Sequence, residues 1–297
     1  MAFLLNWSRP PFRGRETACK FSVFVKVVNL LKSKQKKNRV SKTNTSWDPL
    51  ARWYDGWVGQ DGSRHHRQLA IPAVLELLEL QPGQRILDIG CGQGVLAPYV
   101  ARTNAKYTGV DLSASLLQLA RQRHGKQGRF LRADACRLAA RPGLLPGSFD
   151  AVIFLLSIQD MQPLQPVLQT AAAMLVPGGR MVILMTHPCF RIPRQSGWSW
   201  DPGRKLQSRR VDRYLTPLTV PLKAYPGSQH GVSHSFHRPL GAYINALAAC
   251  DLLVDNLLEI PSHLAKHTGA FAKAKARAQA EIPLFLGLRA RKVGRPS

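Results

Sequence analysis

The residues of this chain that could do chemistry are a glycine-rich turn and a set of carboxylates, each placed directly after an apolar run. The first run leads into the turn Gly90-x-Gly92-x-Gly94, and two later runs end in Asp111 and Asp134. Glycine lets the backbone take positive φ and approach a ligand closely, because no Cβ stands in the way. A carboxylate accepts hydrogen bonds from two neighbouring hydroxyl groups. Three such runs predict a cofactor site along one edge of a parallel sheet.

The details of the turn argue against a dinucleotide as the cofactor. The dinucleotide fingerprint is G-x-G-x-x-G, and Val95 stands where its third glycine belongs. Asp88 lies just before the glycines, where its negative charge would repel a pyrophosphate. A cofactor with a cationic end and a ribose therefore fits these residues better.

This pattern resembles the class I S-adenosylmethionine-dependent methyltransferases, and among them the methyltransferase type 11 group, over residues 85–185. The resemblance implies S-adenosyl-L-methionine as the cofactor, held at its methionine end by Asp88 and the turn. It implies that Asp111 binds both ribose hydroxyls and that Asp134 with Ala135 contacts the adenine. The residues around Tyr54 resemble a segment that covers the cofactor. The cofactor-binding residues predicted in this way are Asp88, Gly90, Cys91, Gly92, Gly94, Asp111, Leu112, Asp134, Ala135 and Tyr54.

The hydrophobic pattern alternates between short apolar runs and segments of helical spacing, which indicates right-handed crossovers and a parallel sheet. Strands are predicted at 85–89, 106–111, 129–133, 149–156, 180–185, 252–260 and 284–289. Helices are predicted at 72–80, 95–102, 114–124, 167–175, 240–250 and 263–280. By the resemblance, this is an α/β fold, a Rossmann-like three-layer sandwich with a mostly parallel seven-stranded sheet and a lid-like insertion after strand five.

The residues predicted to act on the methyl acceptor follow strands four and five. Methyl transfer is an in-line displacement, so that the enzyme mainly positions the reactants and a general base is optional. His187 is either that base or a structural histidine before Pro188. Gln159 and Asp160 are predicted to bind substrate, although Asp160 could instead cap the next helix. His237 is predicted to lie at the lip of the substrate pocket.

The chain divides by composition into a basic extension and one folded domain. Residues 1–45 contain eleven Lys or Arg and one acidic residue, which predicts a disordered extension. Residues 46–292 form the predicted methyltransferase domain, in which 187–237 are a substrate-binding or lid insertion, and 293–297 are a tail. Five cysteines without C-x-x-C spacing indicate a reducing compartment, so the expected location is the cytoplasm, or an organelle if 1–45 is a transit peptide.

Charge and composition also bear on the partners. The net charge is +25, but much of it lies in the flanks, so nucleic acid is an unexpected main partner. No apolar run is long enough to span a membrane. A histidine group at 230, 234 and 237 has no carboxylate or cysteine among its members, and no metal is expected. The oligomeric state is left open by the sequence.

The predicted function is methyl transfer from S-adenosylmethionine to a small or medium-sized molecule. Strand four is followed by Ser157-Ile-Gln-Asp160 and not by an Asn-Pro-Pro-Tyr-type tetrapeptide, which favours an oxygen or carbon acceptor over nitrogen. Two alternatives stay open: an RNA methyltransferase that holds its substrate with basic tails, and a non-catalytic protein that binds S-adenosylmethionine.

Overall fold

A computed structural model describes residues 47–222, 233–262, 264, 267–269 and 271–293. The predicted basic extension therefore lies outside the described residues, as do His230 and all but the first residue of the predicted tail. Among the helices that are described, none is both long and apolar enough to cross a membrane.

A seven-stranded sheet forms the centre of the fold, in the order β10-β11-β5-β4-β1-β2-β3. The strands β1 to β5 are parallel, and β11 pairs antiparallel with both β5 and β10. This arrangement confirms the predicted α/β fold with its mostly parallel seven-stranded sheet. The strands are β1 (Arg85–Ile89), β2 (Lys106–Asp111), β3 (Gly128–Arg132), β4 (Phe149–Leu155), β5 (Leu175–Thr186), β6 (Ser196–Asp201), β7 (Leu206–Val211), β8 (Leu218–Leu222), β9 (Ser233–His237), β10 (Leu252–Pro261) and β11 (Pro283–Lys292).

Helices pack on both faces of this sheet and create two apolar cores. One core gathers residues such as Phe154 and Leu168, and the other gathers residues such as Leu77 and Val182, all of them fully buried. The helices are α1 (Ala51–Val58), α2 (Ile71–Leu78), α3 (Ala97–Ala101), α4 (Ala114–His124), α5 (Leu164–Met174), α6 (Leu240–Ala248) and α7 (Ala272–Glu281). A single helical turn, Ile158–Asp160, follows β4.

Several predicted elements differ from the structure at their ends, and three of them begin three or more residues away from their predicted start. Helix α7 begins only at Ala272, whereas the sequence predicts a helix from 263, because Gly269 takes a φ of 84° that ends helical geometry. Strand β5 begins at Leu175, five residues before its predicted start at 180, and its pairing with β4 shifts register between Leu175 and Arg180. Helix α5 begins at Leu164, three residues before its predicted start.

The insertion after β5 contains two hairpins that the sequence does not predict. Strands β6 and β7 pair antiparallel, as do β8 and β9. The first hairpin packs on α7 through Trp200 and Phe271, whose ring centroids are 4.4 Å apart. The second hairpin places β9 against the helical turn Ile158–Asp160. The two hairpins thus contact different parts of the fold, and the second lies beside the turn that follows β4.

Candidate active site

A cleft of about 880 Å³, counting the space at its mouth, opens at the carboxyl ends of the central strands. The cleft is lined by Trp47, Tyr54, Ile89, Gly90, Gly92, Val110, Asp111, Leu112, Leu116, Ala133, Asp134, Ala135, Cys136, Leu155, Leu156, Ser157, Asp160, Met161, Gln162 and Val167.

The glycine-rich turn forms the floor of the cleft, and its glycines serve different purposes. Gly90, Gly92 and Gly94 all have positive φ, at 73°, 55° and 81°. A Cβ on Gly90 would come within 2.6 Å of the Ser157 Cβ, and one on Gly94 within 2.7 Å of the Phe130 ring. These two glycines therefore let the turn pack tightly, since any side chain there would clash.

Gly92 is the glycine with open space above it. The nearest atom to a Cβ at this position is Cε1 of Tyr54, at 3.7 Å. Cys91 turns the other way: its Sγ would lie 2.8 Å from a Cβ on Gly109, and burial raises the pKa of its thiol. Cys91 is therefore packed beneath the turn, and Gly92 exposes its backbone to the cleft.

Asp111 connects the end of β2 to the turn. One of its carboxylate oxygens accepts the Gly92 N–H and the other accepts the Ser113 N–H, both at 2.9 Å. Burial raises the pKa of Asp111, while these backbone bonds act in the opposite direction. Each oxygen retains a lone pair for a further donor, and Asp111 lines the cleft.

Asp88 lies in β1, almost completely buried beneath the turn. Its Oδ2 accepts the hydroxyl of Tyr107 at 2.6 Å, whereas its Oδ1 is buried and has no partner among the described residues. Burial raises the pKa of Asp88 to about 7, although the Tyr107 hydrogen bond works against this rise. An unpartnered acceptor of this kind suits a cationic donor.

Asp134, Ala135 and Leu112 form one rim of the cleft. Asp134 is exposed, and its Oδ1 accepts the Cys136 N–H at 2.9 Å. Leu112 follows Asp111 and is 42% exposed, so it offers an apolar surface to a ligand. The structure thus brings the predicted ribose and adenine contacts to adjacent positions.

Helix α1 and Trp47, which lies four residues before the helix begins, cover the cleft with aromatic rings. Trp47 and Tyr54 both line it, with ring centroids 5.3 Å apart in an edge-to-face arrangement. The segment is tied to α4 at two places. Asp55 receives two hydrogen bonds from the Arg123 guanidinium, at 2.5 and 2.9 Å, and Asp48 accepts the Ser113 hydroxyl at 2.6 Å.

The opposite end of the cleft is formed by residues that follow β4. Leu156 has a φ of 53°, which is costly for a residue other than glycine, and the Gln159 amide donates to its carbonyl at 2.8 Å. Asp160 lines the cleft, and burial raises its pKa to about 7 despite a hydrogen bond with Ser235 and the nearby charge of Arg238. Ser235 belongs to β9, so the insertion supplies part of the surroundings of Asp160.

His187 is not among the described residues that line the cleft. Its Nδ1 accepts the Cys189 N–H at 3.2 Å, which leaves the proton on Nε2 to be donated to Glu259 at 2.9 Å. Burial lowers the pKa of this imidazole. Both ring nitrogens are engaged, and His187 therefore has no lone pair to offer to a substrate in this arrangement.

Two further residues that the sequence predicted at the substrate pocket stand apart from the cleft. The Nε2 of His237 donates to the Tyr214 carbonyl at 2.7 Å, and His237 is not among the described lining residues. Gln159 is likewise absent from that lining, and its contact is with the backbone of Leu156. Within the described part of the chain, no three metal-binding side chains come together.

Some cleft residues were missed by the sequence analysis. Trp47 opens the folded domain and could have been found from the aromatic content of that segment. Met161 and Gln162 follow directly on the predicted Asp160. Ser235 and Arg238 carry no local signal, because only the folding of β9 onto the turn after β4 brings them near Asp160.

Comparison with known proteins gives a match over part of the chain. Residues 87–183 match the sequence profile described as "Methyltransferase domain". This matched segment coincides with the strands and turn that build the floor of the cleft, from β1 to β5.

Two methyltransferases are among the curated relatives that match part of this chain. A demethylmenaquinone methyltransferase of Tropheryma whipplei (strain Twist) is 35% identical over 120 residues, which are 39% of this chain and 48% of the relative. A ubiquinone biosynthesis O-methyltransferase of Xanthomonas campestris pv. campestris (strain B100) is 30% identical over 145 residues, 47% of this chain and 59% of the relative. The match thus spans about half of each relative's length.

A solved structure extends the likeness beyond the matched segment. An S-adenosylmethionine dependent methyltransferase from Mesorhizobium loti superposes with a TM-score of 0.59 and 27% sequence identity. The match covers 78% of this chain and 100% of that chain. The fold around the matched segment is therefore shared with that solved structure.

Proposed function

We propose that this chain transfers a methyl group from S-adenosylmethionine to an oxygen or carbon atom of a small or medium-sized molecule. The observation that carries this function is Asp111, which holds the backbone of Gly92 and lines the cleft at the end of β2. The profile match and the Mesorhizobium loti structure support it. The two curated relatives, a demethylmenaquinone methyltransferase and a ubiquinone biosynthesis O-methyltransferase, support it as well.

The residues around the cleft fit the cofactor part by part. Asp88 is not among the described residues that line the cleft, but its Oδ1, beneath the turn, lacks a partner among the described residues and would complement the ammonium of the methionine part. Each oxygen of Asp111 accepts one N–H and can accept one ribose hydroxyl as well. Asp134 and Ala135 would border the adenine, and Tyr54 would cover it together with Trp47.

When bound, the cofactor supplies a methyl group that is already activated by a positively charged sulfur. The chain's own residues then position the acceptor and exclude water, and such alignment can account for about 7–11 kcal/mol of the barrier. Trp47 and Tyr54 close the cleft from above, and the strained turn at Leu156, held by Gln159, shapes its far end.

Asp160 is the residue we assign to the acceptor. It lines the cleft beyond the turn, and its pKa of about 7 means that its carboxylate can take a proton from a hydroxyl near neutral pH. Ser235 and Arg238 act on its charge and orientation from the insertion. His187, whose nitrogens are both engaged, then has a structural role between β5 and β10.

The rest of the organisation follows the same proposal. The methyltransferase domain would extend over 46–292, with the part of 187–237 that contains β9 bordering the acceptor. The compartment would be the cytoplasm, or an organelle if 1–45 directs the chain there. The RNA methyltransferase and the non-catalytic binding protein are the competing functions, and turnover on RNA transcripts or binding without turnover would identify them.

The function is tested by binding first and turnover second. Calorimetric titration of the full chain with S-adenosylhomocysteine should show binding, and absence of binding would refute the function. Turnover is then followed as S-adenosylhomocysteine formed with phenol, catechol and hydroquinone acceptors. Replacement of Asp160 by Asn should lower that turnover by about 10²–10⁴-fold while leaving binding of the product intact. The matched control is Asp212→Asn, on the exposed surface of the insertion, which should change neither.

A further inference from the structure

A second groove crosses the edge of the sheet opposite the cofactor cleft. It lies at the amino ends of β4, β1, β2 and β3, where Phe149, Arg85, Lys106 and Arg129 are among its lining residues. Its open space is about 1,370 Å³, counting the mouth. Because β1 has five residues, the two sites are separated by a strand length of roughly 16 Å.

The groove is positively charged throughout. Arg85, Lys106, Lys126 and Arg129 line it, and no aspartate or glutamate is among its described lining residues. Within the described chain, Arg85 alone of these four approaches a carboxylate, that of Asp150, at 4.0 Å. Asp150 therefore offsets part of the charge of Arg85, while Lys106, Lys126 and Arg129 have no carboxylate within this distance among the described residues.

Two features of this groove favour an anionic ligand. Arg85 and Lys106 occupy paired positions in the register of β1 and β2. Like charges at paired positions of neighbouring strands repel each other, and an anion between them removes that repulsion. The Oε1 of Gln127, another lining residue, is buried without a partner among the described residues, and a ribose 2′-hydroxyl can donate to it.

The arrangement and lining of the cations select the type of anion. The cations of the groove start from three neighbouring strands, β1, β2 and β3, so an extended chain of phosphates can contact them together, whereas one small anion cannot. A concave groove accepts a flexible chain better than a flat bilayer. Tyr107 and Phe149, its aromatic residues, are buried and cannot stack on bases, so that recognition is limited to the backbone.

We propose that this groove binds the phosphate backbone of single-stranded RNA, with Arg85, Lys106, Lys126 and Arg129 contacting the phosphates. The RNA held there is not the methyl acceptor, because the reaction cleft opens at the other edge of the sheet. The binding is independent of base sequence and strongly dependent on salt. It is an additional activity and does not rest on the function proposed above.

The test compares two double variants of the full chain that remove the same charge. Lys126→Ala with Arg129→Ala changes the groove, whereas Lys273→Ala with Arg277→Ala changes the exposed surface of α7. Binding of a fluorescein-labelled RNA dodecamer is measured by anisotropy over a series of KCl concentrations. Each phosphate contact to a single strand contributes about 0.7 to the slope of log K against log salt, so loss of two contacts lowers the slope by about 1.4. The control pair should leave the slope unchanged.

Since both variants keep the basic flanks, any contribution of the flanks cancels in the comparison. Equal reductions in the two variants, or no RNA binding by the parent chain, would overturn the proposal. A groove variant that lost binding to phosphatidylglycerol vesicles but kept its RNA affinity would overturn it too, by assigning the groove to a membrane. Unchanged melting temperatures and S-adenosylhomocysteine affinities verify that the replaced side chains, all exposed, do not support the fold.

Discussion

Replacement of Asp111 by Ala tests the proposed ribose contact most directly. The variant removes both acceptor oxygens, which now receive the N–H groups of Gly92 and Ser113 and which are proposed to receive two ribose hydroxyls. A hydrogen bond to a charged group is worth about 1.5–3 kcal/mol. We expect S-adenosylhomocysteine to bind about 2–3 kcal/mol more weakly, which is roughly a 30- to 150-fold increase in Kd.

The same variant also removes a hydrogen bond from the protein without ligand. The assay must therefore separate the lost ribose contact from the change in the turn itself. Loss of the hydrogen bond from the Gly92 N–H would loosen the turn and lower the affinity for every ligand to a similar degree. Calorimetry with adenosine and with 2′,3′-dideoxyadenosine provides the separation, because only adenosine carries the hydroxyls. The parent chain should prefer adenosine, and Asp111→Ala should bind the two nucleosides alike, since a double-mutant cycle isolates the direct contact.

Asp134→Ala is the matched control for this experiment. Asp134 lines the same cleft but is exposed and contacts the backbone of Cys136. Loss of the Asp134 carboxylate should lower the affinity for both nucleosides by a similar factor. The preference for adenosine should stay in place. If Asp111→Ala retained the preference of the parent chain, the ribose assignment would be wrong even if all affinities fell.

Two predictions concern stability. The pKa of Asp88 is raised to about 7 in the folded chain, so its contribution to stability is complete below the unfolded pKa of about 4 and is lost as pH rises to 7. Asp88→Asn should therefore melt with a weaker pH dependence than the parent between these values, and identical slopes in thermal melts would contradict the burial argument. His187→Ala should lower the free energy of unfolding in urea by about 1–3 kcal/mol, because it leaves Glu259 and the Cys189 N–H without their partner. Turnover per folded molecule should stay within a few-fold of the parent, and a loss of 10²-fold or more would restore His187 as the base.

Local sequence determined the central strands, the turn and the helix boundaries that have their own signals. Helix α4 begins at Ala114, as predicted, because Ser113 caps it by accepting the Leu116 N–H. The apolar runs of β1 and β2 and the glycines between β1 and α3 were equally readable, since each depends on neighbouring residues only. The cofactor-side positions Asp111 and Asp134 follow from these elements, and the structure brings both to one cleft.

Tertiary structure decided the features whose partners are distant in the chain. The hairpins of the insertion carry no clean alternation of apolar and polar residues, and packing brings the guanidinium groups of Arg191 and Arg209 to 5.0 and 5.3 Å from the Trp198 ring. His187 looked like a base from its place after β5, but the residue that engages it, Glu259, is 72 positions away. Asp160 acquires its raised pKa from burial, and its partner Ser235 comes from β9. The sequence placed each group at the end of its strand, but the charge state and free lone pairs of each depend on contacts that exist only after the chain has folded.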